Sequence, residues 1–313
     1  MILTLSQFII GISALWVGGD WLIKGAENIG KRLHLSPMLI GLTIVSFGTS
    51  APELIVNIIA SYHQQSDIVF GNIIGSNIAN ILLILGSCGI IFPLTLQTNL
   101  KKEAIYHFLI PLVLTILIII SPPQMIFNSK KAFVILTLFS IFLIKVLFKS
   151  NPSPPNHHET TQTTKLAILT LTLGAILLPI GGNLIITSTT VIASSLGISE
   201  AIISLIAIGI GTSLPELAAS IIAAARHQTD IVIGNILGSN IFNIGLILSI
   251  SGFISPLTLP TILIKKLYFL LIISLLFSII ILIKQYRQHS KKITRIESGI
   301  LLISYLLFLI SIL

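Results

Sequence analysis

Charged side chains are scarce in this sequence. Asp, Glu, Lys and Arg make up only 9% of its 313 residues, whereas 54% are hydrophobic and the mean hydropathy is +1.04. Soluble globular proteins carry about 25% charged residues, so this composition excludes a soluble fold. Apolar runs of about 20 residues, long enough to cross a bilayer as a helix, recur from end to end. The sequence therefore predicts an all-α, polytopic membrane protein surrounded by lipid.

Cysteine is nearly absent and histidine is sparse. The single thiol, Cys88, lies in an apolar run, and one cysteine forms neither an intrachain disulfide nor a cysteine metal cage. The seven histidines fall near loops or predicted span ends, where we expect them to be solvated or interfacial: His34, His63, His107, His157, His158, His227 and His289. A zinc or copper site, which would use such ligands, is not expected.

Dividing the apolar stretches at loop signals predicts ten membrane spans. Their approximate bounds are 3–29, 36–62, 67–93, 104–121, 131–149, 165–193, 199–225, 230–256, 262–284 and 298–313. The first lacks the pattern of a cleaved signal peptide, so we expect it to be retained. The polar, proline-containing stretch 150–164 follows the fifth span and is predicted to be a cytoplasmic linker between two five-helix halves, 1–149 and 165–313.

The two halves are copies of one another. Residues 48–53 read Gly-Thr-Ser-Ala-Pro-Glu and residues 211–216 read Gly-Thr-Ser-Leu-Pro-Glu, an offset of 163 positions that also aligns 67–80 with 230–243. Because five spans is an odd number, the second copy enters the membrane from the opposite side. The sequence therefore predicts ten transmembrane helices arranged as two inverted repeats, the pattern of many secondary transporters.

The basic residues set the predicted orientation. With the N-terminus outside, 14 of the 18 Lys and Arg residues fall in cytoplasmic connections or the adjoining span ends. The positive-inside rule then places both termini on the extracellular side of a cell membrane. This distribution over short loops also accounts for the net charge of +8, so nucleic-acid binding is not expected.

Two acidic residues lie well inside predicted spans. Eight of the ten acidic residues fall near span ends or in loops, whereas Glu53 and Glu216 lie in the second and seventh spans at equivalent repeat positions. An ionised carboxylate in the membrane costs several kcal/mol unless it is compensated, so such residues mark functional sites by default. A protonated or hydrogen-bonded structural glutamate is the alternative.

Oxygen-bearing groups accompany both glutamates at helical spacing. Each glutamate shares one helix face with residues three, four and seven positions before it, which are Ser46, Thr49 and Ser50 in the first repeat and Gly209, Thr212 and Ser213 in the second. Proline lacks an N–H and clashes with the carbonyl four residues back. We therefore expect Pro52 and Pro215 to loosen the helix around Thr49 and Thr212 and to free backbone oxygens as ligands.

The third and eighth spans carry a second polar stripe. Its members recur every four residues and are Asn72, Ser76 and Asn80 in one repeat and Asn235, Ser239 and Asn243 in the other. Interhelical packing beside Gly71, Gly75, Gly234 and Gly238 explains part of this motif, but Ser76, Asn80, Ser239 and Asn243 are candidate ligands. Carboxylate, hydroxyl, amide and backbone oxygens are hard ligands that suit Ca²⁺.

These motifs resemble those of the cation/calcium exchanger superfamily, which contains the sodium/calcium exchangers and their prokaryotic relatives. The resemblance implies ten helices in inverted repeats and an antiporter that exchanges Ca²⁺ for Na⁺ by alternating access. It implies that Glu53 and Glu216 bridge the central ions, that Thr49 and Thr212 offer carbonyl oxygens, and that Ser46 and Gly209 offer backbone oxygens at flanking Na⁺ positions. Hydroxyl ligands would come from Ser50, Ser76, Ser213 and Ser239. No cofactor is implied beyond the transported ions.

The resemblance also assigns a role to the long first and sixth spans. Gly18 and Gly19, with Gly181 and Gly182, would permit close, smooth contact, and these spans resemble the family's gating helices. Ordinary glycine packing is the alternative explanation for these positions.

Other functions are compatible with parts of this pattern. A proton/calcium antiporter would use the same glutamates, and a cation channel would line a filter with the same kinds of oxygen. An intramembrane enzyme is disfavoured because no nucleophile and base accompany the carboxylates. Some relatives in the superfamily carry Asp where this sequence has Asn80 or Asn243. Two glutamates balance one Ca²⁺ or two Na⁺, so exchange of three or more Na⁺ per Ca²⁺ would be electrogenic.

Overall fold

A computed structural model describes residues 2–96, 99–120, 125–148, 163–196, 211–286 and 292–311. These residues are mostly helical, and the helices in chain order are α1 Ile2–Arg32, α2 Pro37–Thr49, α3 Ala51–Tyr62, α4 Ser66–Ile91, α5 Lys101–Ile119, α6 Ser129–Phe148, α7 Thr164–Ser195, α8 Leu214–Ala225, α9 Thr229–Ile254, α10 Thr261–Tyr286 and α11 Arg295–Ile310.

The described helices fit a multi-pass membrane protein. Seven of them are long and apolar enough to cross a bilayer, and α2 and α3 together make an eighth candidate span with a bend of 46°. The two remaining helices, α8 and α11, are shorter, and the predicted first half of the seventh span lies outside the described residues. The helix bounds agree with the predicted spans to within a few residues wherever both are described.

Two short antiparallel ribbons connect the halves of the chain, and the all-α prediction omitted them. Strand β1 (Leu94–Thr95) pairs with β4 (Lys292–Ile293), and β2 (Ile126–Phe127) pairs with β3 (Leu257–Thr258). Each ribbon therefore joins a segment beside a helix of one repeat to a segment of the other. A strand of two residues is too short to show the alternating pattern by which strands are predicted.

The sequence repeat is also a repeat of backbone irregularities. At the offset of 163 positions, a π-helical turn at Asn80–Ile84 in α4 matches one at Asn243–Leu248 in α9. Gln64, after α3, has a left-handed backbone conformation with φ 58°. Its equivalent after α8, His227, has the same conformation with φ 57°. The two halves therefore fold alike in the regions that carry the motifs.

Helices α4 and α9 form the centre of the molecule. The apolar windows of these two helices are 78% and 94% buried, whereas that of α7 is 22% buried. Close contact between α9 and α2 depends on glycine, since a Cβ at Gly234 would lie 2.5 Å from the Met38 carbonyl oxygen and one at Gly238 would lie 2.6 Å from Ser46 Oγ. The packing role considered for these two glycines is confirmed, and the polar stripe of α9 is held in the core.

The long helices α1 and α7 pack side by side in antiparallel orientation. Gly11 lies against Gly181 near one end of the pair, and Gly25 lies against Leu171 near the other. A Cβ at Gly18 would lie 3.0 Å from the Cβ of Leu177, so the backbones approach too closely for larger residues. Close contact at the predicted glycines is confirmed: Gly18 and Gly181 lie against the other long helix, whereas Gly19 and Gly182 lie against α8.

Candidate cation-binding site

The helix carrying each glutamate is broken immediately before it. Helix α2 ends at Thr49, Ser50 has a non-helical ψ of 4°, and α3 begins at Ala51 with proline in its first turn. Ser213 has a ψ of 0° before α8, which also has proline in its first turn. Proline cannot donate to the preceding turn and displaces it, so the predicted loosening around Thr49 and Thr212 is confirmed.

These breaks place each carboxylate at a helix N-terminus. Glu53 lies in the first turn of α3 with 1% of its surface exposed, and Glu216 lies in the first turn of α8 with 2% exposed. The N-terminal end of a helix carries partial positive charge and favours a carboxylate. Ser50, which lies three residues before Glu53, donates a hydrogen bond to Glu216 over 3.0 Å and so links the two glutamate segments. The site therefore joins both repeats around two buried acidic groups.

Most of the acidic oxygens have no hydrogen-bond partner. Ser50 Oγ donates to Glu216 Oε1 over 3.0 Å, but Glu216 Oε2 and both oxygens of Glu53 have no hydrogen-bond partner among the described residues. The same holds, within the ranges that the structure describes, for four further buried oxygens predicted as ligands: those of Ser213, Ser239, Asn80 and Asn243. Buried polar groups are normally paired, so a cluster of unpaired oxygens fits an oxygen-coordinated cation.

Helices of both repeats meet through their polar side chains. Ser76 Oγ of α4 lies 3.1 Å from Thr212 Oγ1, and Thr49 Oγ1 donates to Asn235 Oδ1 of α9 over 3.4 Å. Asn80 Nδ2 donates to Asn240 Oδ1 over 2.9 Å. Thus four contacts, including that of Ser50 with Glu216, join side chains of the two halves of the chain.

Of the two residues predicted to bind flanking Na⁺ ions, the structure describes Ser46 but not Gly209. The Ser46 carbonyl accepts a hydrogen bond from the Ser50 backbone N–H at 2.9 Å and lies 3.3 Å from Thr49 Oγ1, whose one hydroxyl hydrogen is shared with Asn235 Oδ1. Ser46 Oγ donates to the Leu42 carbonyl. A cation at the Ser46 carbonyl would therefore displace the Thr49 hydroxyl. Gly209 lies outside the described residues.

Two buried polar residues, one helical turn beyond each glutamate, were not predicted from the sequence. Asn57 Nδ2 donates to the Glu53 carbonyl oxygen over 2.7 Å, and Ser220 Oγ accepts from Asn235 Nδ2 over 3.0 Å. Both residues lie four positions after a glutamate and are fully or almost fully buried. The same helical spacing that identified the residues before the glutamates would have identified these.

The interpretation of His107 as solvated or interfacial was wrong. Only 2% of its surface is exposed, and it lies in α5 between α9 and α10, hydrogen-bonded to Asn240 and Ser278. The error arose because α5 begins at Lys101. His107 is close to this end of the helix, and a position near the end of a span suggested that its side chain is exposed to solvent. The neighbouring helices already bury the inward-facing residues in the first two turns of α5, including Ala104 and His107.

Comparison with known proteins gives consistent matches along the chain. Residues 3–149 and 166–313 match the family described as sodium/calcium exchanger protein. The putative antiporter CaxA of Alkalimonas amylolytica is 35% identical over 79% of this chain and 80% of its own length. The sodium/calcium exchanger MaX1 of Methanosarcina acetivorans is 30% identical over 96% of both chains.

The fold also matches solved structures of an exchanger. The sodium-calcium exchanger NCX_Mj, in a crystal soaked with zero Na⁺ and Ca²⁺, superposes with a TM-score of 0.82 at 31% identity, covering 100% of this chain and 99% of that one. The same protein soaked with Na⁺ and Ca²⁺ gives a TM-score of 0.82 at 32% identity. Since both halves match the family and the whole fold matches a member, this chain belongs to the sodium/calcium exchanger family.

Proposed function

We propose that this protein is a secondary antiporter that exchanges Ca²⁺ for Na⁺ across the cell membrane. The observation that carries the proposal is the pair of buried glutamates, Glu53 and Glu216, whose oxygens are largely unpaired where the two repeats meet. Relatives named as an antiporter and as a sodium/calcium exchanger support a transporter rather than an enzyme.

The chemistry of the site suits both ions. Ca²⁺ takes six to eight oxygen ligands at about 2.3 to 2.6 Å in flexible geometry, and the carboxylate, hydroxyl, amide and freed backbone oxygens around the glutamates supply that kind of ligand. Two carboxylates neutralise one Ca²⁺ or two Na⁺, so the ions compete for one set of oxygens. Positions 80 and 243 are Asn, so the site has no third carboxylate. The charge of any third Na⁺ is therefore not neutralised by the site and is carried across the membrane.

The architecture we propose has ten helices in two inverted five-helix repeats, 1–149 and 165–313, joined by a cytoplasmic linker at 150–164. The matching π-turns and helix breaks support the repeat. The exchange of strands supports its inversion: the repeat-related strands β1 and β3 each pair with a segment of the opposite half. The loop charges favour both termini on the extracellular side.

Transport would proceed by alternating access around this fixed site. When repeats of opposite orientation exchange conformations, an opening to one side becomes an opening to the other. The glycine-rich contact between α1 and α7 supports this proposal, because glycine at these positions of α1 leaves fewer side chains to resist movement of the helices along their common direction.

The test is uptake of radioactive Ca²⁺ into proteoliposomes loaded with Na⁺, compared with vesicles that carry only a proton gradient. We expect Na⁺-driven uptake that is lost in Glu53→Gln and in Glu216→Gln. Asp67→Asn, at an exposed acidic position in the first turn of α4, is the control and should transport normally.

Each competing function predicts a different result of this experiment. Uptake driven only by protons would identify a proton/calcium antiporter. Ca²⁺ flux that needs no counter-ion gradient would identify a channel. Absence of Ca²⁺ uptake under both gradients, in protein that elutes as a single folded species, would contradict the proposed function.

A further inference from the structure

The buried side chain of His107 contacts Asn240, which in turn contacts the candidate ligand Asn80. The Nε2 atom of His107 is 3.0 Å from Nδ2 of Asn240, and its Nδ1 atom is 3.3 Å from Oγ of Ser278. The ring packs edge-on against Phe277, with 5.3 Å between centroids. His107 therefore occupies one defined position among α5, α9 and α10.

The direction of each hydrogen bond follows from the groups present. Asn240 Nδ2 also donates to the Asn77 carbonyl oxygen over 3.4 Å, and a carbonyl only accepts, so this end of the Asn240 side chain is its NH₂ group. The Nε2 atom of His107 must then accept from it. A neutral imidazole has one donor and one acceptor nitrogen, so the ring hydrogen is on Nδ1, which faces Ser278.

The orientation of Asn240 determines that of Asn80. With its NH₂ group turned towards His107, Asn240 presents Oδ1 to Asn80, which donates from Nδ2 over 2.9 Å. The NH₂ group of Asn80 is thereby engaged, and its Oδ1 atom is the end without a hydrogen-bond partner in the described part of the chain. An amide can coordinate a cation only through its oxygen.

The second repeat lacks this arrangement. Leu270 stands at the position equivalent to His107, 163 residues later. Asn77, the counterpart of Asn240, turns back and donates to the Ile73 carbonyl of its own helix over 2.7 Å. Neither the oxygen nor the nitrogen of the Asn243 side chain has a hydrogen-bond partner within the described ranges. Only the amide of the first repeat is held in one orientation.

We propose that His107 is a positioning residue that orients the Asn80 amide through Asn240, so that Asn80 offers its oxygen and not its NH₂ group to the transported cation. This inference rests on the proposed function, in which Asn80 is a cation ligand. Without the acceptor at Nε2, only the long 3.4 Å hydrogen bond to the Asn77 carbonyl still holds the Asn240 amide, which can then rotate by half a turn. It would then compete with the cation for the Asn80 oxygen.

The first experiment compares variants of His107 by the Ca²⁺ dependence of uptake into Na⁺-loaded proteoliposomes. His107→Leu removes the acceptor and should raise the half-saturating Ca²⁺ concentration about tenfold, the low end of the effect of losing a partner behind a metal ligand. His107→Gln keeps an acceptor oxygen and should restore much of the affinity. Thr115→Val is the matched control, because Thr115 is a buried polar residue of α5 that bonds only to the Pro111 carbonyl of its own helix.

The second experiment separates orientation from general packing damage. In Asn80→Asp a carboxylate replaces the amide, accepts from the NH₂ group of a rotated Asn240 and keeps its other oxygen for the cation, so the acceptor at position 107 is no longer needed. On that background His107→Leu should change the half-saturating Ca²⁺ concentration by no more than about twofold, the error of such a cycle. A merely structural role of His107 would give the same penalty on both backgrounds.

The outcomes distinguish this inference from the proposed function. Suppose that wild-type protein takes up Ca²⁺ and that the half-saturating Ca²⁺ concentration of His107→Leu equals that of either wild type or His107→Gln. The positioning role is then wrong, while the antiporter function stands. The positioning role is also wrong if His107→Leu raises the half-saturating Ca²⁺ concentration as much in the Asn80→Asp protein as in wild type. If wild-type protein takes up no Ca²⁺, the proposed function fails, and the inference that rests on it fails too.

Discussion

Ser50 of the first repeat donates a hydrogen bond to the Glu216 carboxylate of the second, across 3.0 Å. The equivalent bond from Ser213 to Glu53 is not made: Ser213 Oγ and both Glu53 oxygens have no hydrogen-bond partner among the residues that the structure describes. Two repeats of the same sequence motif therefore hold their carboxylates differently. One glutamate is partly fixed before a cation arrives, and the other depends on the cation for its partners.

This difference predicts unequal effects of two equivalent substitutions on the cation-free protein. Ser50→Ala removes the hydrogen bond to the Glu216 carboxyl group, which is worth about 0.5 to 1.5 kcal/mol, and should lower the melting temperature measured in detergent without Na⁺ or Ca²⁺. Ser213→Ala removes a hydroxyl that has no partner in the described structure and should leave it nearly unchanged. Equal losses in both variants would show that the Ser50 bond contributes nothing.

Charge balance predicts that transport responds to membrane potential. If three or more Na⁺ leave a Na⁺-loaded vesicle for each Ca²⁺ that enters, net positive charge moves outward in each cycle. An inside-positive potential should then accelerate Ca²⁺ uptake, and an inside-negative potential should slow it. The potential is set with K⁺ gradients and valinomycin in the same proteoliposomes. Uptake that is insensitive to either sign would require an electroneutral stoichiometry.

The contact between α1 and α7 predicts a rate effect without an affinity effect. A Cβ at Gly25 would lie 2.5 Å from the backbone nitrogen of Leu171, whereas one at Gly299 in α11 would meet nothing within 4 Å among the described residues. Gly25→Ala should force the two long helices apart, at a cost of about 1 to 3 kcal/mol for overpacking. If these helices move during transport, the maximal uptake rate falls while the half-saturating Ca²⁺ concentration stays unchanged.

Gly299→Ala is the control for this experiment, since it adds the same methyl group to a helix where space is open. A matching fall in rate in both variants would assign the effect to helix chemistry and not to the α1 and α7 contact. A rise in the half-saturating Ca²⁺ concentration in Gly25→Ala would place the disturbance at the cation site instead.

Much of the site could be predicted from the sequence because its determinants are local. Pro52 and Pro215 break their helices through a missing N–H and a clash four residues back, which depends on nothing beyond the same helix. The positions of Glu53 and Glu216 then follow from helical spacing. A repeated motif adds a check that a single copy would not provide.

The residues behind the candidate ligands could not be predicted in the same way. His107 is buried because α9 and α10 cover it, and its role depends on Asn240, which is 133 positions away in the chain. The two-residue strands likewise exist only because segments of opposite halves meet. Helical period and span length describe one segment at a time, so they carry no information on such pairings.

An ion pair joins α1 to the residue that follows α8, and the equivalent positions of the other repeat carry no such pair. Asp20 of α1 pairs with Arg226, the residue that follows α8, and with Lys24 over 2.7 Å. Close by, Gln228 donates to Glu27. The positions equivalent to Asp20 and Arg226 in the other repeat are Asn183 and His63. The predicted orientation places the charged contact on the cytoplasmic side, and the other side has no equivalent pair of oppositely charged side chains at these positions.

Breaking this pair should shift the balance between conformations in one direction. A partly exposed ion pair is worth about 0.2 to 1 kcal/mol, so Asp20→Asn should change the ratio of the two access states by a factor of about 1.4 to 5. If the contact holds the cytoplasmic side closed, a cysteine placed on that side of the cation site, in a Cys88→Ala background, should react faster with a water-soluble maleimide in Asp20→Asn than in the parent protein. The reversed pair, Asp20→Arg with Arg226→Asp, should return the labelling rate towards that of the parent. If the single variant and the reversed pair label alike, the contact does not hold this side closed, and the asymmetry of the two faces has no bearing on access.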